Sequence, residues 1–328
     1  MPQLAPVSLT AIQRPVSREL DAVVGELRRI IAADFPLLAD VNRHLLTMRG
    51  KMFRPTLVLL SASATAGLST REVRLAAVVE LIHLATLVHD DSVDHSVLRR
   101  GQPTINALFS HQIAVIMGDF LYSRAIMELV ELEDLEPLRV MSRATNDMTV
   151  GEMRELKAHD VLDYGEDDYD QLIRCKTASL MSAACEIGGL KAEPAQRAAL
   201  RRYGLYLGMA FQITDDVLDY TGSESVIGKP SGHDLREHKI TLPLIAALPR
   251  LEPEERGLVE QLMHEPEPPD ELIHTVINLV TARGGVAAAR SRALELARRA
   301  EAELERLPAG SAREALRDCL TYAVERSR

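Results

Sequence analysis

Apolar positions in this 328-residue chain recur at three- and four-residue spacing almost throughout, and no stretch alternates apolar and polar residues between turn signals. That period predicts an all-α protein. Ser69 followed by Glu72 has the form of a capping box and starts a helix through Val79 to about residue 94. Pro194 suits the first turn of a second long helix, which carries Tyr203, Tyr206 and Phe211 and ends near Gly222. Further helices are expected at roughly 17–33, 55–66, 112–130, 138–160, 168–188, 241–248, 270–284 and 286–306. The Gly/Pro-rich stretch from Gly222 to Gly232 predicts a long loop, and no linker divides the chain, so residues 1–328 are expected to form a single all-helical domain.

Both long helices run into the same acidic pattern, Asp90-Asp91-Ser92-Val93-Asp94 and Asp215-Asp216-Val217-Leu218-Asp219. On a helix, residues four apart share a face, so the first and last Asp of each pattern stand together with the middle one beside them. One such cluster is ordinarily a solvated face; two with the same spacing, each behind an apolar run, argue against that reading. Clustered carboxylates repel one another unless cations neutralise them, and hard oxygen ligands suit Mg²⁺ better than zinc. The chain is therefore expected to carry two halves of one magnesium site. The doubling fits either duplication or convergence on one metal geometry.

Composition narrows the setting. A formal net charge of −10 argues against nucleic acid or an anionic membrane surface as a partner, so an anionic substrate needs a local pocket of metal and Lys/Arg. Charges interrupt every apolar run before membrane-spanning length and no signal-like apolar core opens the sequence, which predicts a cytoplasmic protein with no membrane span. Cys175, Cys185 and Cys319 lack metal-site spacing and read as reduced, packed thiols.

Basic residues accompany the acidic ones. Lys51 and Arg54 lie three apart and would converge if their segment begins a helix; Arg99-Arg100-Gly101 follows the first cluster, Lys176-Thr177 lies in a later helix, and Lys229 and Lys239 follow the second cluster. A mixed Asp/Lys/Arg site of this kind suits two diphosphates, one bridged to carboxylates by Mg²⁺ and one bound by Lys and Arg directly.

The run Ile82-His83-Leu84-Ala85-Thr86-Leu87-Val88-His89-Asp90-Asp91, then Arg99-Arg100-Gly101-Gln102-Pro103-Thr104, Gly118-Asp119-Phe120-Leu121, Lys176-Thr177-Ala178, Phe211-Gln212-Ile213-Thr214-Asp215-Asp216, Gly228-Lys229-Pro230 and Asp234-Leu235 resembles the trans-isoprenyl diphosphate synthases of the polyprenyl synthetase family. The resemblance implies an all-helical isoprenoid-synthase bundle around a central cavity and a homodimer. It implies that Asp90, Asp91, Asp94, Asp215, Asp216 and Asp219 hold Mg²⁺, three ions with the diphosphate bound. Arg99, Lys176, Lys229 and Lys239 would contact an allylic diphosphate (farnesyl or geranylgeranyl), while Lys51, Arg54, His83 and Arg100 would bind isopentenyl diphosphate. Thr177 and Gln212 would turn side-chain oxygens toward a carbocation or else hydrogen-bond helix to helix. Phe211 and the apolar faces of the two long helices are expected to line the reacting region.

A growing tail should lie beside the helix preceding Asp90, with residues one turn back as its floor or opening. Ala85 and Thr86 are small where short-chain relatives often carry Phe or Tyr, which predicts a long-chain product; Ile82, Val78 and the Met117–Met127 region would close the tunnel further down. The alternatives are a short-chain synthase, a cyclase of the same fold, a phosphohydrolase built on His89-Asp90, and a non-catalytic partner subunit. Arg49, His111, Glu152 and His238 depart from the family pattern without removing an assigned ligand.

Overall fold

The computed structural model describes residues 7–47, 50–156, 163–222 and 232–325. Helices dominate: α1 (Leu9–Gln13), α2 (Ser17–Ile30), α3 (Pro36–Thr47), α4 (Phe53–Ser63), α5 (Thr70–Val93), α6 (Ile105–Leu108), α7 (His111–Glu131), α8 (Leu135–Leu156), α9 (Glu166–Ile173), α10 (Ser179–Gly188) and α11 (Pro194–Thr221). Helices at Leu242–Ala247, Pro253–His264, Asp270–Ala282, Gly285–Leu304 and Ser311–Val324 follow. The expected all-α class holds. Among the described residues the strands are one hairpin of two residues a side, Leu98–Arg99 against Gln102–Pro103.

Ser69 does cap α5, accepting a hydrogen bond from the Arg71 backbone, while Glu72 meets the Ser69 hydroxyl and Lys191 at 2.9 Å. Pro194 occupies the first turn of α11 as expected. The single helix expected at 168–188 is instead α9 and α10 joined by a π-helical turn at Arg174–Ala178. Helices α3, Pro253–His264 and Ser311–Val324 were not anticipated from periodicity. Most of the loop expected after Gly222 lies outside the described residues.

Helix α5 is the axis of one core. From Leu75 to Ile82 every residue is buried, because α2, α4, α7 and α10 pack around it and no side is left for water. Full burial of Leu81 and Ile82 stabilises the fold by about 1.5–3 kcal/mol each. Helix α11 links that core to another: Leu200, Tyr203 and Leu207 belong to the first, whereas Met209, Ile213, Val217 and Tyr220 join α9 and the helices of 242–296. The three cysteines are free thiols, two of them buried, in line with the sequence reading.

Candidate active site

Both Asp motifs lie in the final turns of their helices. Asp90 and Asp91 close α5, and Asp94 is its C-cap, its N–H donating to the Asp90 carbonyl at 2.8 Å. Asp215, Asp216 and Asp219 lie on the last two turns of α11. A helix C-terminus carries partial negative charge, so carboxylates there are disfavoured without a counter-charge. The protein supplies some. Arg99 Nε donates to Asp91 Oδ1 at 2.8 Å, Tyr169 and Gln212 (2.8 Å) donate to Asp216, and the backbone N–H groups of His233 and Asp234 reach Asp219 at 3.1 and 3.0 Å.

These contacts do not balance the charge. Burial, then the Glu152 carboxylate, pushes Asp90 up to about 7; burial also lifts Asp216 to about 7, and burial with the charges of Asp216 and Asp219 lifts Asp234 to about 8. Oxygen donors this reluctant to ionise alone fit a hard divalent cation. Among the described residues no three Asp, Glu, His or Cys side chains converge closely enough to form a ready-made metal cluster. The acidic side chains are spread along a cavity of about 630 Å³ lined by Asp94, Glu152, Glu155, Gln212, Asp216, Asp234, Lys176, Thr177 and Lys239.

The two described lysines assigned to an allylic diphosphate therefore face acidic residues. Lys176 Nζ is 3.0 Å from Glu152 and also contacts Glu155; burial opposes its charge, but the two carboxylates outweigh burial and hold the ammonium firmly protonated. Lys239 donates to Glu237 at 2.9 Å. Lys229 lies outside the described residues. Thr177 Oγ1 donates to Gln212 Oε1 at 2.8 Å, so the helix-to-helix bond is made while both side chains also line the cavity.

A second pocket, about 220 Å³, is basic. Gly50, Lys51, Arg54, Glu80, His83 and Arg100 line it with Phe53, Met181, Phe211 and Tyr322. The helix that was to bring Lys51 and Arg54 together begins only at Phe53, with Met52 left-handed (φ 55°); the two meet because that kink turns Lys51 back to donate to Tyr322 Oη at 3.0 Å. Arg54 donates to His83 Nε2 at 2.9 Å. Guanidinium cannot accept, so Nε2 carries the lone pair and Nδ1 the proton. Burial, reinforced by Arg54 and Arg100, keeps His83 well below its usual range and therefore neutral.

Adjacent arginines part here. The hairpin turn places Arg100 and Gly101 at φ 53° and 74°, the type I′ pattern, so Arg99 reaches Asp91 while the Arg100 guanidinium lies 2.6 Å from where a Cβ on Gly50 would stand. The two side chains therefore lie apart, Arg99 beside the first Asp motif and Arg100 in the basic pocket.

Between these pockets lies a third cavity, about 710 Å³. Ile82, Ala85, Thr86, Leu87 and Asp90 of α5 line it together with Tyr122, Thr145, Met148, Thr149 and Leu180. Arg54 and His83 border both it and the basic pocket; Glu152, Lys176 and Thr177 border both it and the acidic cavity. Two expectations need correction. Phe211 stacks on Phe53 (5.8 Å) in the basic pocket and is not on this cavity's wall, which α7, α8, α10 and the 174–178 turn complete without any residue of α11. Val78 is packed in the core and does not reach the cavity.

Sequence reading gave no role to Glu155 or Glu80, nor to Asp234, which it met only within the Asp234-Leu235 motif. Glu155 follows Glu152 by one helical turn and Glu80 precedes His83 by one, so both were within reach of spacing arguments. Asp234 was not, since only the chain's return places it beside Asp219. Of the departures, Glu152 pairs with Lys176, His111 approaches Ser92 and His95 at 3.3 Å each, His238 meets the Glu265 carbonyl, and Arg49 lies outside the described residues. His89, the basis of the hydrolase alternative, bonds the Val115 carbonyl at 3.1 Å.

Known proteins resemble this chain over nearly its whole length. The polyprenyl synthetase family model matches residues 35–280. The chain is 38% identical to an all-trans-nonaprenyl-diphosphate synthase (geranyl-diphosphate specific) of Rhodobacter capsulatus, covering 96% of this chain and 97% of that one. It is 36% identical to the octaprenyl diphosphate synthase of Escherichia coli K12, covering 98% and 100%. Among solved structures, a decaprenyl diphosphate synthase from Rhodobacter capsulatus superposes with a TM-score of 0.93 at 35% identity, covering 98% and 100%. A polyprenyl synthase from Caulobacter crescentus CB15, complexed with calcium and isoprenyl diphosphate, gives 0.93 at 34% identity, covering 99% and 100%. With the motifs, fold and full-length similarity in agreement, the chain belongs to the polyprenyl synthetase family.

Proposed function

We propose that this prenyltransferase condenses isopentenyl diphosphate with an allylic diphosphate, farnesyl or geranylgeranyl, and repeats the step to give a long-chain all-trans polyprenyl diphosphate. The observation that carries the reading is the order of the cavities: an apolar chamber bordered by Arg54 and His83 toward a basic pocket and by Lys176 and Thr177 toward an acidic one. The reacting carbons would meet where the three adjoin.

Asp90, Asp91, Asp94, Asp215, Asp216 and Asp219 are the proposed holders of Mg²⁺, three ions with substrate bound. Bound there, the ions would neutralise the departing diphosphate. Lys176 and Lys239, with Arg99 and Lys229, stabilise the same developing charge, which is electrostatic catalysis without a protein nucleophile. Lys51, Arg54, Arg100 and the Nδ1–H of neutral His83 hold isopentenyl diphosphate by charge and hydrogen bonds. Thr177 and Gln212 present side-chain oxygens to the cation, and Ile82, Leu87 and Leu180 limit the water that would quench it. No further base stands among the assigned side chains, so the departing diphosphate takes the proton.

Ala85 and Thr86 leave the chamber open one turn before Asp90, which supports a long product. An exposed apolar row on α7 and α8, including Ile116 (62%), Met127 (51%), Val130 (60%) and Met153 (64%), supports a homodimer packed through those helices. Helix α11, running through both core clusters, supports a single domain. No single described helix is long and apolar enough to cross a membrane. The test is incubation of purified chain with farnesyl diphosphate, labelled isopentenyl diphosphate and Mg²⁺, followed by mass analysis of the dephosphorylated product. A polyprenol of six or more isoprene units is expected; a product no longer than geranylgeraniol overturns the chain-length reading, and no incorporation overturns the activity.

A further inference from the structure

The π-helical turn at Arg174–Ala178 carries Lys176 and Thr177, and two glycines grip it from opposite helices. On α8, a Cβ added to Gly151 would stand 2.8 Å from the Lys176 backbone nitrogen, 3.0 Å from its Cα and 3.1 Å from its Cβ. On α11, a Cβ added to Gly208 would stand 2.6 Å from Ala178 Cα and 2.8 Å from Ala178 Cβ. Most of these neighbours are backbone or atoms fixed to it, so the turn itself would have to move; a flexible side chain could not simply step aside.

A π turn widens the backbone by an extra residue, and such bulges persist where their surroundings hold them. Here both contacts fall on the wide turn. Gly151 meets residue 176, Gly208 meets residue 178, and between them Thr177 is tied to Gln212, one turn beyond Gly208 on α11. Gln212 passes the tie on to Asp216 through its Nε2 at 2.8 Å. Lys176 and Thr177 thereby border both the central chamber and the acidic cavity.

We propose that Gly151 and Gly208 are positioning residues for the reaction: together they fix the π turn so that Lys176 and Thr177 face the allylic diphosphate and the carbon it leaves. This rests on the reading that those two side chains serve the allylic substrate. The basic pocket shares no lining residue with the turn, and the three nearest neighbours of an added Gly151 Cβ all belong to Lys176, so disturbing the clamp from that side is expected to act on one substrate.

The experiment measures, with Mg²⁺ present, the affinity for a non-ionisable farnesyl thiodiphosphate, the affinity for isopentenyl diphosphate, turnover and Tm. Gly204 on α11 supplies the control. Its added Cβ would lie 2.6 Å from the Met181 carbonyl and 2.8 Å from Ser182 Cα, a packing clash of the same size against the regular helix α10. Gly151→Ala and Gly208→Ala are expected to weaken the thiodiphosphate about tenfold and cut turnover about a hundredfold, as a misplacement of about 1 Å does, with isopentenyl diphosphate affinity within about twofold. Gly204→Ala is expected to lower Tm comparably while leaving both affinities intact. If either of the first two variants fails to fold, the other is read alone; should both fail, hydrogen exchange of the 174–178 amides in wild type decides, with fast exchange there overturning the clamp. Equal weakening of both substrates, or the same loss in Gly204→Ala, overturns the proposal. Lys176→Ala separates the two levels: if it leaves thiodiphosphate affinity unchanged, the assignment of Lys176 is what fails.

Discussion

On the proposed reading, the acidic cavity and the basic pocket take the same chemical group by opposite means. In the basic pocket the donors are already arranged: Arg54 on His83, Lys51 on Tyr322, Arg100 delivered by a tight turn. In the acidic cavity the carboxylates are in excess, the lysines are occupied by Glu152, Glu155 and Glu237, and several acids resist ionisation. On that reading one site is complete as protein, and the other would be completed by cations. That difference fits chemistry in which one diphosphate stays attached and the other must leave as a stabilised anion.

Metal removal breaks the symmetry most severely. Chelation is expected to abolish condensation while leaving isopentenyl diphosphate bound, checked by activity and by equilibrium binding in EDTA. Asp90→Asn and Asp216→Asn should next lower kcat about 10²–10³-fold with little change in KM for isopentenyl diphosphate, the order lost with one charge-stabilising contact. Lys51→Ala and Arg100→Ala should do the reverse. Losing a charged hydrogen bond of about 1.5–3 kcal/mol raises that KM roughly ten- to a hundredfold at nearly constant kcat.

A smaller effect follows from pH. Asp90 and Asp216 titrate near about 7 in the folded chain, above the usual carboxylate value, so the folded state holds protons that the unfolded chain has released. The sign is that metal-free stability falls as pH rises from about 4 through 7, while Mg²⁺ affinity rises over pH 6–8 because ligands must lose their protons. Tm in EDTA and the Mg²⁺ dependence of rate, each against pH, check the two directions. Smallest in rate is Ala85→Phe, which should shorten the product while sparing the first condensation; unchanged product length contradicts the tail's placement beside α5.

Much of this was written locally in the chain. Helical period, the Ser69 and Pro194 starts, both Asp motifs and the cation set need only short spacing arguments, and the structure brings Lys51, Arg54, His83 and Arg100 to one pocket. What was hidden depends on distant contacts or weak signals. The stripe Ala312, Ala315, Leu316, Cys319, Leu320, Ala323 has helical spacing, but its small side chains dilute the pattern. The capping box of Glu252 and Glu255 around Pro253 was a legible start that periodicity alone passed over. The π turn leaves no local mark, because it is held by Gly151 and Gly208 from other helices. Asp234 joins the site only through a chain reversal.

The central claim, two unlike diphosphate sites, is tested most directly by measuring binding of isopentenyl diphosphate and of farnesyl thiodiphosphate with Mg²⁺ and again in EDTA. The account predicts that chelation leaves the first affinity nearly unchanged and abolishes the second. If both ligands lose affinity equally without metal, or neither does, the division into a protein-complete and a cation-completed site is wrong.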